Sequence, residues 1–417
     1  MNSPIPFDAN RAYDHTEALC YPRRVGTSGE RRAARYVARQ FAALGLVCWR
    51  ERFVVSFFPA EIGNRLVFLA CAILVVAAVL TAGAYPWLTA LCAGTAALLA
   101  NAPWRVQFLR GRCRPPWAIS ENVLATLPES AKGAPARVVF LAHYDTKSQW
   151  LPTGVRVALV TGTAGVCALF ALAALAAALG LPAGLEMLGP WRLGPLALLL
   201  LAGLLLNFTG NRCPGALDNG SAVGTLLELA RCWRPQPGTP VEAVWVATGS
   251  EEVELDGARH LLRAHASWWQ DKPTLVINLE SVGAGGRVFL AGEARALRLA
   301  REEADRLGME HALLAVLGAG MDHEPFAARG LPAVSILGDV VRRSFALHSR
   351  RDNMSLIERP ALERAGRLAA HLAWRWAALH RPPVLVHNQE AFGVSDRGAG
   401  AESSEPQRCG PGHRGTG

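Results

Sequence analysis

Charge is missing from four long stretches of this 417-residue chain: no Asp, Glu, Lys, Arg or His falls within residues 66–84, 87–103, 157–179 or 193–208. Helices buried in a soluble core rarely lack a polar face for so long, so the runs read as membrane spans, with a bundle of core helices as the alternative. The same lack argues against a small transporter, which needs ionisable groups along its path. Residues 1–25 have no apolar signal core, and the N-terminus is expected not to be secreted. The nine cysteines lack zinc-ribbon spacing and several sit inside the apolar runs, which reads as reduced, structural thiols. A formal charge of +9 comes without a basic stripe interleaved with aromatics, so nucleic acid is not an expected partner. No internal repeat is present.

What the chain has instead is apolar mass, 51% of its residues. Residues 66–84 include ten Leu, Ile, Val or Phe. At about −0.3 to −0.6 kcal/mol each, these favour insertion by roughly −3 to −6 kcal/mol with no charge in opposition. Residues 87–103 are weaker, with four Leu opposed by Thr89, Gly94, Thr95 and Asn101, and read as the return leg of a first hairpin, 63–110. Residues 157–179 and 193–208 form a second hairpin, 153–212. Two hairpins bring the chain back to one side each time. Arg50, Arg52, Arg65, Arg105, Arg110, Arg112, Arg114, Arg156 and Arg212 flank them on that side, against Arg192 alone on the other. The positive-inside rule then predicts a multi-pass integral membrane protein with its soluble domain in the cytoplasm.

The soluble segments, 1–62, 111–152 and 213–384, alternate strand and helix. Thr27-Ser28-Gly29-Glu30 reads as a capping box opening a helix over 30–44. Strands are expected over 46–57 (an edge strand), 138–142, 243–248, 274–279 and 332–337, with helices over 219–231, 257–265, 294–307 and 360–380. This pattern argues for an α/β fold, a three-layer α/β/α domain with a mixed sheet, carrying four transmembrane helices inserted as two hairpins. The tail 385–417 lacks periodicity and is expected to be disordered.

Chemistry gathers past the strand ends. Gly249-Ser250-Glu251-Glu252 places two adjacent carboxylates where open α/β sheets hold ligands. Consecutive side chains there point apart, so one can hold a metal while the other faces a substrate; a solvated acidic turn is the alternative. His143-Tyr144-Asp145 suits a metal ligand with a carboxylate behind it, or a capped core histidine. Asp218 is either a ligand or an N-cap. Glu280 ends an apolar strand, where a charge must be metal-bound or ion-paired. His348, in a loop, and Asp322-His323 read as site residues or as solvated loop and turn residues.

In order, His143, Asp218, Glu251-Glu252, Glu280 and His348 resemble the co-catalytic zinc aminopeptidases of metallopeptidase family twenty-eight. The resemblance runs from about Arg23 to His380, includes Gly26-Thr27-Ser28-Gly29-Glu30, and breaks at the two hairpins, which look like insertions. It implies a zinc-exopeptidase domain with two Zn2+. His143 and Glu280 would hold one ion, Glu252 and His348 the other, and Asp218 would bridge them. Glu251 matches the family's general base and Asp145 the carboxylate behind the first histidine. Asp322-His323-Glu324-Pro325-Phe326 matches its Asp-His-x-Pro-Phe signature. The implied reaction is hydrolysis of a peptide bond, at a peptide's N-terminus, by a metal-activated water, with peptide and the lipid bilayer as partners.

Two positions depart from the family's pattern. Glu280 stands where its aminopeptidases usually have Asp, and Leu217 replaces the first residue of the usual Asp-Asp pair. A glutaminyl-cyclase-like transferase with a single zinc shares the fold and the Asp-His-x-Pro-Phe likeness, so metal count separates the two. A catalytically silent scaffold would show lost ligands, and every ligand position here still carries one. Nothing in the sequence fixes the oligomeric state.

Overall fold

The computed structural model describes residues 6–101, 114–128, 134–181, 189–233, 241–314 and 320–380. The expected disordered tail, and Arg105, Arg110 and Arg112, lie outside these residues.

Ten strands are formed among the described residues. They are β1 (Val47–Ser56), β2 (Trp117–Thr126), β3 (Ala136–His143), β4 (Ser148–Gln149), β5 (Thr209–Gly210), β6 (Val241–Thr248), β7 (Thr274–Glu280), β8 (Val288–Gly292), β9 (His311–Leu313) and β10 (Ala333–Leu337). Eight make one sheet, in the order β1-β2-β6-β3-β7-β10-β8-β9, and β4 pairs with β5 as a separate ribbon. The centre, β6-β3-β7-β10, is parallel, while β1–β2, β2–β6 and β10–β8 are antiparallel. The sheet is therefore mixed, as expected. β3, β6 and β7 are buried at every position, which is why each reads as an unbroken apolar run.

Register sets the functional edge. His143 ends β3 level with Thr248 at the end of β6, and Glu280 ends β7 level with Leu337 at the end of β10. Four parallel strands thus finish along one line.

Helices cover both faces. On one, α1 (Ala9–Ala18), α2 (Ser28–Ala43), α7 (Ser221–Cys232), α9 (Ala294–Arg306) and α10 (Arg359–Leu379) share a core with Val138, Phe140, Trp245 and Ile277. On the other, α8 (Asp256–Ala264) and Phe326 pack on Val139, Leu141, Val244 and Val276. The edge position of β1 agrees with the sequence reading; α1, β2, β8 and β9 were not anticipated by it. The capping box is also modified. Thr27 accepts from the Glu30 amide, but the Glu30 carboxylate takes the Gly26 amide, at 2.6 Å, and the Ser120 hydroxyl.

The four apolar runs form α3 (Asn64–Thr81), α4 (Pro86–Asn101), α5 (Thr153–Ala178) and α6 (Pro190–Leu205). They pack on one another around Phe68, Cys71, Val75, Ala96, Cys167 and Leu201, in a cluster separate from the sheet cores. Gly194 of α6 is needed there, since a Cβ would lie 2.3 Å from Val79. Two helical segments, Phe58–Thr81 and Thr153–Ala178, are long and apolar enough to cross a bilayer. The other two are 16 residues each among the described residues, about 24 Å, and short of the roughly 20 residues that a bilayer core takes.

Candidate active site

Two strands of the parallel centre hand over to the site through abrupt turns, and a third such turn lies in the loop that brings in His348. After β6, Ser250 takes φ 60°; after β7, Ser281 takes φ 50°; His348 itself takes φ 60°. Left-handed backbone at non-glycine residues costs about 1–3 kcal/mol each and persists only where surroundings enforce it. Here hydrogen bonds do so. The Asp145 carboxylate accepts from the Glu251 amide at 3.0 Å and the Glu252 amide at 3.2 Å. Asn219 spans the next turn, donating to the Leu279 carbonyl and accepting from the Ser281 amide. Asp352 accepts from the Leu217 and Asp218 amides at 2.6 and 3.1 Å. Gly215, at φ 61°, starts the turn that carries Asp218; a Cβ there would lie 2.2 Å from Thr146.

The side chains so held converge. His143 Nε2 lies 3.2 Å from Glu280 Oε1, 3.3 Å from Asp218 Oδ1 and 3.8 Å from Glu251 Oε2. His348 Nε2 lies 3.2 Å from Asp218 Oδ2 and 3.1 Å from Glu252 Oε1. The two oxygens of Asp218 therefore face different histidines. His143, Glu251 and Glu280 form one group able to hold a metal ion, and Asp218, Glu252 and His348 form another. All six are buried.

Electrostatics make the same point. Six carboxylates (Asp145, Asp218, Glu251, Glu252, Glu280 and Asp322) sit beside two imidazoles and Lys147, whose Nζ is 2.7 Å from Glu252 Oε2. Burial holds the Glu251 and Glu280 carboxyls above the ordinary range despite His143, with repulsion from neighbouring carboxylates adding to it. Burial also opposes ionisation of Asp218, but the two histidines more than offset this and hold it low. The histidines respond in kind. Burial works against protonation of both, yet Glu280 raises His143 and Glu252 raises His348. Glu252 Oε1 is buried and takes no well-aligned hydrogen bond. Oxygen and imidazole donors with no thiolate, in excess of the local cations, fit divalent metal. No loss of ligands of the kind expected of a silent scaffold is seen.

Asp145 is placed less directly than the sequence suggested. Its carboxylate caps the Glu251 and Glu252 amides and stands 3.5 Å from His143 Nδ1, which lies 3.2 Å from the Asp145 carbonyl. Asp322 is fully buried, holding the Thr248 hydroxyl; burial pushes it up to about 7 against the pull of His143 and Thr248. His323 stands apart from both metal groups, with Nδ1 on the Ser335 hydroxyl at 2.7 Å and burial pushing it down to about 4. Sequence reasoning missed Lys147, Asn219, Asp352 and Thr153, the last 2.9 Å from His348 Nδ1. Only Asp352, a carboxylate four residues past His348, carried any signal.

Residues 202–373 match the model of peptidase family M28. Aminopeptidase YwaD of Bacillus subtilis (strain 168) is 25% identical over 194 residues, 44% of this chain and 42% of that protein. The chain thus matches less than half the length of this relative. Among solved structures, BSAP, a zinc aminopeptidase from Bacillus subtilis, superposes with a TM-score of 0.53 at 17% identity, covering 89% of this chain and 95% of that one. A Porphyromonas gingivalis glutaminyl cyclase reaches 0.51 at 15% identity, covering 89% and 98%. At these identities the structural likenesses establish the fold.

Proposed function

We propose, because residues 202–373 match the model of peptidase family M28, that this chain is a membrane-embedded, zinc-dependent exopeptidase of the aminopeptidase type. The observation that carries the reading is Asp218, whose two oxygens face His143 on one side and His348 on the other. His143 and Glu280 would hold one zinc, Glu252 and His348 a second, with Asp218 between them. Bound zinc would lower the pKa of a water and polarise the scissile carbonyl.

Glu251 is the proton carrier. Burial and the neighbouring Glu252 and Glu280 make its carboxylate more basic than usual, as a general base requires. It takes a proton from the attacking water as the C–O bond forms, then gives it to the leaving amine as the C–N bond breaks. Asp145 fixes its position by gripping the Glu251 and Glu252 amides. Glu251 also lies in the His143 group, so its role needs a direct test.

The membrane part rests on exposed apolar side chains. Ile73, Leu80, Leu91, Leu98, Leu172 and Leu199 all point away from the helix cluster into the surroundings. Such a surface on a soluble protein would aggregate. In this reading all four helices sit in the bilayer as two hairpins, and the arginines flanking them support a cytoplasmic catalytic domain.

Zinc analysis of the detergent-purified protein, paired with a screen of aminoacyl and glutaminyl peptides, tests the proposal. Two zincs per chain and release of N-terminal residues are expected. One zinc with cyclisation of glutaminyl peptides would select the transferase reading, and no zinc with no turnover would sink both.

A further inference from the structure

The two histidines of the site are held in different ways. His143 ends a central strand, and its Nδ1 faces Asp145 two residues on in its own chain. His348 lies in a loop with left-handed backbone, and its Nδ1 meets the Thr153 hydroxyl at 2.9 Å. Thr153 is the first residue of α5, the helix that opens the second hairpin.

Further contacts join the same two segments. The Gln149 amide donates to the His348 carbonyl at 2.9 Å, and the Gly154 amide to the Ser344 carbonyl at 3.4 Å. The approach at Gly154 is close: a Cβ there would lie 3.0 Å from Ser344 Oγ and 3.3 Å from the Phe345 ring. Lys147, on the same connection, pairs with Glu252. The β4–β5 ribbon, together with the Leu151 amide on Asn207 Oδ1, ties the two ends of the hairpin together beneath the site.

We infer that the first turn of α5 is part of the metal site, with Thr153 as the positioning residue for His348. The inference rests on the zinc reading above. Neutral imidazole carries one proton, so a ring that binds metal through Nε2 must keep its proton on Nδ1. Thr153 Oγ1 then accepts the hydrogen bond that Nδ1–H donates, fixing both the tautomer and the ring plane. The second hairpin then does more than anchor the domain, because its helix start orients one of the ligands.

The test uses the full chain in detergent, stripped of metal and titrated with zinc against a competing chromogenic chelator. The wild-type arm tests the functional reading: failure to bind two zincs overturns that reading and this inference with it. If wild type binds two, the variants decide. Thr153→Val and Thr153→Ala should each weaken one zinc by about 10–100-fold and leave the other unchanged. Thr153→Ser, which restores the hydroxyl, should bind as wild type does. Melting of the metal-free proteins identifies any variant that does not fold, and the smaller Ala change stands in for Val there. Wild-type zinc affinity in both hydroxyl-lacking variants, or a Ser variant as weak as they are, overturns the inference.

Discussion

Glu251→Gln separates the two roles that the geometry allows this residue. The substitution keeps the side chain's length and volume, and leaves the amide grip of Asp145 in place at 3.0 Å. It breaks little else: the nearest cationic atom, His143 Nε2, is 3.8 Å from the carboxylate, beyond hydrogen-bond reach. Burial already favours the neutral form of this carboxyl, so a neutral amide of the same shape should leave the metal-free fold no less stable. What disappears is the ability to take a proton. Loss of a general base lowers turnover by at least about 10²-fold, which corresponds to about 2.7 kcal/mol of barrier. The assay is kcat and KM on an aminoacyl chromogenic amide, with zinc content by atomic emission and a melting curve on the same sample. The expected outcome is a collapsed kcat, a KM little changed, two zincs and an unchanged melt. Wild-type turnover would refute the base assignment. Loss of one zinc together with activity would instead make Glu251 a ligand, alongside His143 and Glu280.

Other outcomes follow from the same geometry. Glu280→Ala should lower zinc toward one per chain and remove most activity, whereas Glu280→Asp should keep two; retention of both metals and activity in the Ala variant would make Glu280 structural. Glu30, pushed up to about 8 chiefly by burial, stays protonated in the fold where the unfolded chain has lost its proton. Stability from this group is therefore full below about pH 4.5 and is lost as pH rises toward 8. Glu30→Gln should flatten that decline in chemical-denaturation series between pH 5 and 8, and an unaltered slope would count against it. For topology, a cysteine at exposed Gln270 should label only from the cytoplasm, and one at exposed Tyr85, between α3 and α4, only from the opposite face. Labelling of Gln270 from outside would reverse the orientation.

The strands that carry the site were legible in the sequence because burial on both faces turns each into an apolar run, so a terminal charge such as His143 or Glu280 stands out. β2 was hidden for the opposite reason. Its middle residues, Ser120, Glu121 and Asn122, are polar yet buried, each serving a neighbour: Ser120 binds Glu30, the Glu121 carbonyl takes the Tyr144 hydroxyl, and Asn122 bonds Gly249 and Gly257. Such residues look like a turn until their partners are known. Asn219 and Asp352 were missed because capping residues of their type occur throughout any chain, and only folding brings them to the site. Thr153 was invisible for a further reason: it reads as the polar start of a membrane helix, and nothing in its neighbourhood announces a histidine 195 positions away.

The strand order has a bearing on how the molecule is made. β1 emerges before the first hairpin and its partner β2 after it, while β3 emerges before the second hairpin and both of its neighbours, β6 and β7, after it. No central strand of the sheet can therefore find its partners until residues 153–212 have been synthesised and stowed. His143 waits as an unpaired donor through that interval, and every other member of the two metal groups is translated later. In a bilayer-inserted chain, biogenesis runs in a fixed sequence: lipid first, sheet second, metal last. A nascent chain halted before β6 would hold one of the two histidines and, of the acids in the two metal groups, only Asp218.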